Sequence, residues 1–275
     1  MAAVKTGAAS SARSLTRCVG PAGGGSTAVS DWTARYFAEA YGERWALGGP
    51  TPRTDDEVRF FLSCLGLGPG NRLLDLACGH GKYAVAAAHA GVEVVAVDAA
   101  SSLLCRGKEL AQHAGVEIKW LRADMRRLPL AREFDGALLL DSFGFQDSPA
   151  ECERVLVELH RVVRPGGRVV FAVVNAGPLV ACFRPHDEEL TARGRIRIAR
   201  TLETSPFRVI ERLSFEGREA TSSYERRQYL FSAQDVEIMN SRAGFIVVGI
   251  YGGYAGDKFS PEASSKIVFV GESLQ

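Results

Sequence analysis

The middle of the chain alternates between short apolar runs and longer amphipathic stretches. The apolar runs have strand length, and the stretches between them repeat apolar residues at helical spacing. The strand-like runs are 72–77, 92–97, 117–121, 134–140 and 168–174. Strands that alternate with helices form a parallel sheet with helices on its faces. The pattern predicts an α/β, Rossmann-like fold whose ligand site lies at the carboxyl ends of the strands.

Two helices carry start signals in the sequence. Thr54 to Glu57 has the composition of a capping box, and Gly66 is placed to end the helix that follows it. Ser148 is a predicted N-cap with Pro149 at the first helical position. These signals predict one helix before the first strand and another between the fourth and fifth strands.

Aromatic residues near the N-terminus also recur at helical spacing, over about residues 30–45. We expect a helix that lies over the ligand cleft. Tyr36, Tyr41 and Trp45 are its candidates for contact with the cofactor or the substrate. The alternative is that these rings only pack the helix onto the body of the protein.

The pattern changes after residue 176. Strand-like alternation appears at 195–202, 207–215 and 220–231 without intervening helices, which predicts an antiparallel insertion. A helix over 232–243 and two closing strands, 245–251 and 266–270, are predicted to follow. We interpret the insertion, about 190–231, as a β cap over the substrate.

The loop after the first strand carries the strongest chemical signal. Gly79 and Gly81 allow backbone N–H groups to approach a ligand, and Asp98, seventeen residues beyond Gly81, is placed to accept hydrogen bonds from ribose hydroxyls. The same glycine spacing also satisfies a dinucleotide-binding pattern. Asp75 distinguishes this site from a dinucleotide-binding site, because a carboxylate at that position would repel a pyrophosphate and attract an ammonium group.

This arrangement resembles the class I S-adenosylmethionine-dependent methyltransferases. Their first motif is matched by Asp75-Leu76-Ala77-Cys78-Gly79-His80-Gly81, with Ala77 in place of the first glycine. The turn Arg164-Pro165-Gly166-Gly167-Arg168 resembles the one that leads into the family's fifth strand. The resemblance implies a mostly parallel seven-stranded sheet and S-adenosylmethionine as cofactor. The cofactor-binding residues it implies, with those from the patterns above, are Asp75, Ala77, Gly79, Gly81, Asp98, Ala99, Asp124, Met125, Leu140 and Tyr36.

On this basis we divide the chain into a tail and one methyltransferase domain. Residues 1–30 are predicted to be a disordered tail, with a transit peptide as the alternative. The domain, 31–275, comprises N-terminal lid helices (31–68), the cofactor core (70–175), the β cap, and a C-terminal helix with closing strands (232–275).

Composition narrows the class of substrate and the compartment. A chain of 275 residues with 46% apolar residues can bury one substantial core. A net charge of +1 without basic runs argues against nucleic acid, and no apolar stretch of membrane-spanning length argues against a membrane. The six cysteines form no C-x-x-C pair, which is typical of reduced thiols and predicts the cytoplasm.

Three residues are candidates for catalysis. Asp141 directly follows the fourth strand, Tyr229 lies on a cap strand with Glu225 and Arg227 on the same face, and His186 lies in the connection after the fifth strand. The alternatives are a loop cap for Asp141, a solvent-facing surface for the Tyr229 group and a surface histidine for His186. Asp141 with Asn175 is thin support for a metal, and we predict none.

The sequence hypothesis is a methyltransferase that acts on N or O of a small metabolite, in a biosynthetic pathway. Resemblance to amino-sugar N-methyltransferases of natural-product pathways supports a small substrate. Two alternatives stay open: a fold relative that binds S-adenosylmethionine without methylating or as a sensor, and an NAD-dependent oxidoreductase. The oligomeric state is also open, with a homodimer among the choices.

Overall fold

The computed structural model describes residues 35–41, 50–191, 194–217 and 221–275. The predicted tail, Trp32 and Trp45 lie outside the described residues. The core is a seven-stranded sheet in the order β10-β11-β5-β4-β1-β2-β3. Its strands are β1 (Arg72–Leu76), β2 (Glu93–Asp98), β3 (Lys119–Arg122), β4 (Phe134–Leu139), β5 (Val163–Val174), β10 (Phe245–Tyr251) and β11 (Lys266–Ser273).

Five of these strands run parallel, as the alternation predicted. β1 pairs with both β2 and β4, and it brings Asp75 beside Ala96 on one neighbour and Leu138 on the other. β11 runs antiparallel to both β5 and β10, which confirms the predicted closing pair. The carboxyl ends of β1, β2 and β4 therefore meet at one edge, where Ala77, Asp98 and Asp141 stand.

Helices cover both faces of this sheet. They are α1 (Pro52–Leu65), α2 (Lys82–His89), α3 (Ser101–Ala114), α4 (Pro149–Val162), α5 (Ala176–Ala181) and α6 (Ala233–Ala243). The Ser148 cap of α4 is confirmed, since its side chain accepts the Glu151 N–H. The start of α1 differs from the prediction: Thr51 is the N-cap, and Thr54 is already helical. Pro52 explains the difference, because its fixed φ favours the first helical position.

The inserted cap is an antiparallel sheet of four strands, in the order β6-β7-β8-β9. They are β6 (His186–Thr191), β7 (Gly194–Thr204), β8 (Phe207–Gly217) and β9 (Thr221–Tyr229). β6 was not predicted as a strand, because as an edge strand it has a polar sequence without apolar alternation. The cap joins the core where the Tyr229 N–H donates to the Gly144 carbonyl over 2.8 Å.

The N-terminal segment lies between the cap and the core. Tyr36–Ala40 forms a short π-helical turn. Tyr36 is buried in a cluster with residues of the cap sheet, including Ile196 and Leu213. Phe37 packs against this cluster and also edge-to-face on Phe145 of the core, with the Phe37 and Phe145 ring centroids 5.6 Å apart. The segment therefore bridges the two sheets.

No helix in the described ranges is long and apolar enough to cross a membrane.

Candidate active site

A cavity of about 190 Å³ opens at the carboxyl edge of the core sheet. Most of its walls are apolar, and Phe37 and Phe145 close one side. Its polar groups come from the loops after β2, β3 and β4. The residues that line it are Phe37, Leu76, Ala77, Val97, Asp98, Ala99, Ala100, Ser101, Arg122, Ala123, Asp124, Met125, Arg126, Ser142, Phe145, Gln146 and Asp147.

Asp98 is held in one orientation by backbone amides. Its Oδ2 accepts the Gly79 N–H over 2.8 Å, and its Oδ1 accepts the Ala100 N–H over 2.8 Å. Each oxygen keeps a second lone pair, so the carboxylate can accept two hydroxyl donors from inside the cavity. Burial raises the pKa of Asp98, and the two amide bonds act in the opposite direction. Two such acceptor positions suit a vicinal diol.

Asp75 lies on β1, beside Ala96 of β2, and is not among the residues that line the cavity. It has an incomplete set of hydrogen-bond partners. Its side chain is buried at 3% exposure, and its Oδ2 has no hydrogen-bond partner among the described residues. Burial, and then the charge of Asp98, raise the pKa of Asp75 to about 7. A buried carboxylate oxygen without a donor is costly, which points to a cationic or donor group as its missing partner.

The two glycines of the loop have different physical roles. Gly79 has φ of +58°, and a Cβ there would meet no atom within 4 Å, so its open side is available to a ligand. Gly81 has φ of +73°, but a Cβ there would overlap the ring of Trp120. Gly81 therefore admits Trp120 against the loop, a packing reason that the motif alone did not indicate.

Replacing Gly81 with alanine is expected to lower the free energy of unfolding by about 2–4 kcal/mol, from left-handed strain and overlap with Trp120. Urea denaturation measures the effect. In a double-mutant cycle, Trp120→Leu should remove the overlap and give a coupling of about 1 kcal/mol or more. Strictly additive effects would show that Trp120 does not restrict this position.

Ala77 occupies the position where the family's motif has glycine. Its φ of +56° is in the left-handed region, so the substitution introduces backbone strain and is more than added bulk. Ala77 also lines the cavity. Residue 77 therefore has the left-handed backbone conformation that favours glycine, although it is an alanine.

Replacing Ala77 with glycine is expected to raise the free energy of unfolding by about 0.5–1 kcal/mol, because relief of strain exceeds the added freedom of the unfolded chain. Thermal and urea denaturation would detect the change. Ala84→Gly, within α2, is the matched control and should destabilise by a similar amount. A loss of stability in Ala77→Gly would contradict the strain argument.

Asp124 and Met125, two of the cofactor-binding residues that the resemblance implies, line the cavity. The Asp124 carboxylate is bound by the Arg126 guanidinium, with Nη2 to Oδ2 at 2.6 Å. Met125 Sδ accepts a hydrogen bond from Gln146 Nε2 at 3.3 Å. Arg126 also forms an ion pair with Glu151. The arginine therefore occupies much of the hydrogen-bonding capacity of the Asp124 carboxylate.

The other predicted cofactor residues are less closely grouped. Ala99 lines the cavity. Leu140 is buried at the end of β4, and Tyr36 faces the cap; neither is among the lining residues. Tyr41, half-buried beside Tyr36 and Phe37, has its pKa raised to about 12 by burial and then by Asp141.

Asp141 stands at the end of β4 in an unusual conformation. Its φ of +55° is rare for an aspartate and turns its side chain toward β11. There it forms a hydrogen-bonded ion pair with Lys266. The Lys266 ammonium also lies 3.2 Å from the Tyr254 hydroxyl and 4.4 Å from the centre of its ring. Asp141, Lys266 and Tyr254 form a cluster that we call the acceptor-side cluster.

The remaining candidates from the sequence have other partners. The Tyr229 hydroxyl donates to the Asp147 carbonyl over 2.9 Å, and its ring is buried in the main core. Glu225 and Arg227 form an ion pair with each other at the surface. His186 is exposed at the start of β6 and does not line the cavity. These positions favour structural roles for the residues.

Asn175 also has its amide engaged. Nδ2 donates to the carbonyls of Pro261 and Ser264 at 2.9 and 2.8 Å, and Oδ1 accepts the Gly177 N–H. It is therefore not free to share a metal with Asp141. Within the described ranges, no group of three or more His, Cys, Asp or Glu side chains is arranged to hold a metal ion.

Sequence reasoning missed several residues of the site. Phe37, Arg126, Phe145 and Gln146 line the cavity, and Lys266 reaches Asp141 from the far strand. The sequence around Lys266 did not indicate its ion pair with Asp141, because that contact depends on the antiparallel pairing of β11 with β5.

Comparison with known sequences supports the class that this geometry indicates. Residues 73–167 match the family model of a methyltransferase domain. A demethylmenaquinone methyltransferase of Beutenbergia cavernae is 38% identical over 122 residues, which are 44% of this chain and 48% of that protein. An uncharacterized protein of Mycobacterium tuberculosis is 32% identical over 166 residues, 56% of this chain and 59% of that protein. The chain thus spans about half the length of these curated relatives.

Solved structures share the fold over most of the chain. The CcbJ methyltransferase from Streptomyces caelestis has a TM-score of 0.72 at 17% identity, covering 89% of this chain and 97% of that one. CalS10 with bound S-adenosylmethionine, an amino pentose methyltransferase from Micromonospora echinaspora, has a TM-score of 0.55 at 18% identity, covering 80% and 89%. At these identities the likeness concerns the fold.

Residues 73–167 thus match a methyltransferase domain, and the chain shares the fold of S-adenosylmethionine-dependent methyltransferases. S-adenosylmethionine is bound in CalS10, one of the structures that share this fold. The residues present fit it: Asp98 is oriented for the ribose, the open side of Gly79 leaves room, and the unpartnered Asp75 oxygen suits the ammonium of the methionyl group.

Proposed function

We propose that the protein transfers a methyl group from S-adenosylmethionine to a nitrogen or oxygen atom of a small metabolite. The observation that carries the proposal is the pair formed by the oriented Asp98 carboxylate and the unpartnered, buried Asp75 oxygen at the same edge of the sheet. One binds a sugar diol and the other a cation, and few ligands offer both.

When bound, the cofactor supplies a methyl group on a positively charged sulfur that a nucleophile can attack in line. The chain's own contribution is to hold the acceptor close to that methyl and to exclude water, which is worth up to roughly 7–11 kcal/mol in well-oriented cases. Phe37 and Phe145 close the cavity toward the cap. No fixed catalytic base is required if the acceptor arrives neutral.

The architecture favours a small acceptor. The cap and the N-terminal segment cover the edge of the sheet, and Tyr229 locks the cap to the Gly144 loop. The net charge of +1 offers no general field for a polyanion. We place the reaction in a biosynthetic pathway of the cytoplasm, as the sequence predicted.

Two other functions compete with this one. An NAD-dependent oxidoreductase is disfavoured because the buried Asp75 lies beside the glycine loop, where it would oppose a pyrophosphate. A non-methylating enzyme or a sensor could use the same cofactor cavity, and only an assay of transfer separates it from a methyltransferase.

The test is transfer of a radiolabelled methyl group from S-adenosylmethionine to pooled amines, phenols and carboxylic acids. The expected result is label in one or more organic products with an equal amount of S-adenosylhomocysteine. Asp98→Ala is the matched control and should abolish both signals. Cofactor binding without label transfer from any pool would favour the sensor or the non-methylating enzyme.

A further inference from the structure

The acceptor-side cluster contains a partly exposed salt bridge just after β4. The side chains of Lys266 and Asp141 are 31% and 50% exposed, so solvent screens their attraction and the pair is easily exchanged. Tyr254 beneath them is buried, and packs edge-to-face on Phe61 and Tyr83. Lys266 therefore has a second partner besides Asp141, the Tyr254 hydroxyl and ring.

The cluster lies at the edge of the sheet that carries the cavity. Asp141 lies just after β4, and the next residue, Ser142, lines the cavity together with Asp98 and Met125. Tyr254 packs edge-to-face on Tyr83, which lies in the first turn of α2, the helix that begins directly after Gly81. The cluster therefore borders the cavity on the side of the glycine loop.

We propose that the acceptor is an amine, that Asp141 is the carboxylate that binds it, and that Lys266 covers Asp141 until the acceptor takes its place. The proposal rests on the methyltransferase function proposed above. An incoming amine replaces one N–H donor on Asp141 with another, and Lys266 withdraws to Tyr254 without losing its remaining contacts. A phenolate or carboxylate acceptor would meet a negative group in Asp141 and gain nothing from this exchange.

Lys266 also limits how strongly Asp141 holds the amine in its charged form. An ammonium ion has no lone pair, so the acceptor must lose a proton to solvent before it attacks. The Asp141 carboxylate favours the ammonium form, and the neighbouring Lys266 cation opposes it and so eases the loss of that proton. The nitrogen lone pair then forms the N–C bond, the C–S bond breaks with its electrons going to sulfur, and the methylated ammonium releases a proton. Glu57, Tyr83 and Tyr41 are the other titratable groups around the cluster.

The test uses sinefungin, an analogue in which a carbon bearing a primary amine replaces the sulfur and its methyl. It shares every other group with S-adenosylhomocysteine, so the ratio of the two dissociation constants isolates the contact at the methyl position. Calorimetry on the full chain would compare wild type with Asp141→Asn, Lys266→Met and the control Lys258→Met, an exposed lysine in the preceding loop. Asparagine tolerates the left-handed conformation of residue 141, so the first variant preserves the backbone.

We expect Asp141→Asn to weaken sinefungin about tenfold or more while S-adenosylhomocysteine changes by less than about twofold. Lys266→Met should strengthen sinefungin about threefold or more, because Asp141 then lacks its competing cation. Lys258→Met should change neither.

Other results would overturn the proposal in distinguishable ways. Equal weakening of both ligands by Lys266→Met would assign Lys266 to the cofactor's carboxylate. An unchanged ratio in Asp141→Asn would remove Asp141 from the acceptor site. If wild type binds neither ligand, the proposed function itself fails, and this inference fails with it.

Discussion

Asp98→Ala is expected to weaken S-adenosylhomocysteine binding by about 100-fold, since hydrogen bonds to a charged acceptor contribute about 1.5–3 kcal/mol each and the ribose offers two hydroxyls. The substitution also leaves the N–H groups of Gly79 and Ala100 without their acceptor, which loosens the loop that faces the cofactor. Calorimetry gives the dissociation constants directly.

Two further variants make this result interpretable. Asp98→Asn keeps the shape but loses one acceptor oxygen, so its affinity should fall between those of wild type and Asp98→Ala. Asp56→Ala removes an exposed carboxylate from α1 and should leave binding unchanged. An Asp98→Ala protein that binds as tightly as wild type would show that the ribose contact is assigned to the wrong residue.

The second large effect concerns pH and the buried Asp75. Burial and Asp98 raise the pKa of its carboxyl to about 7, whereas an unfolded chain ionises near 3.9. Between these values the folded protein holds a proton that the unfolded chain has lost. The stability that this bound proton contributes is complete below the pKa of the unfolded chain, falls as the pH rises, and is lost above the pKa of the folded protein. We expect its loss to lower the free energy of unfolding by about 3 kcal/mol between pH 5 and pH 8.

Asp75→Asn isolates the pH-dependent contribution of Asp75 to stability, because asparagine does not titrate. Urea denaturation at a series of pH values should show that the wild-type unfolding free energy falls more steeply than that of the variant across this range. The affinity of wild type for S-adenosylhomocysteine should rise about tenfold from pH 6 to pH 8, as Asp75 ionises toward the ligand's ammonium. Parallel stability curves for the two proteins would show that Asp75 is not the buried acid we describe.

The parts of the fold that were predicted correctly are those with local signals. The parallel strands, the Ser148 cap and the closing pair follow from apolar periodicity and capping residues within a few positions of one another. The start of α1 was wrong by one turn, because two threonine caps compete and Pro52 favours the earlier. β6 could not be predicted, because an edge strand of the cap buries too little to require apolar alternation.

The candidate site shows the same division between local and long-range signals. The sequence could place Asp75, Gly79 and Asp98 at one edge of the sheet, because strand, loop and strand are consecutive and parallel pairing brings the strand ends together. The contact between Asp141 and Lys266 joins residues that are 125 positions apart, and it depends on the register of an antiparallel strand. Similarly, the ion pair between Arg126 and Asp124 depends on a local turn that no sequence motif indicates.

The most direct test of the central claim is calorimetric binding of S-adenosylmethionine, S-adenosylhomocysteine and NAD to the purified protein, measured side by side. We predict micromolar binding of the first two ligands and none of NAD. Binding of NAD alone would contradict the assignment of the cavity and the interpretation of Asp75 on which it depends.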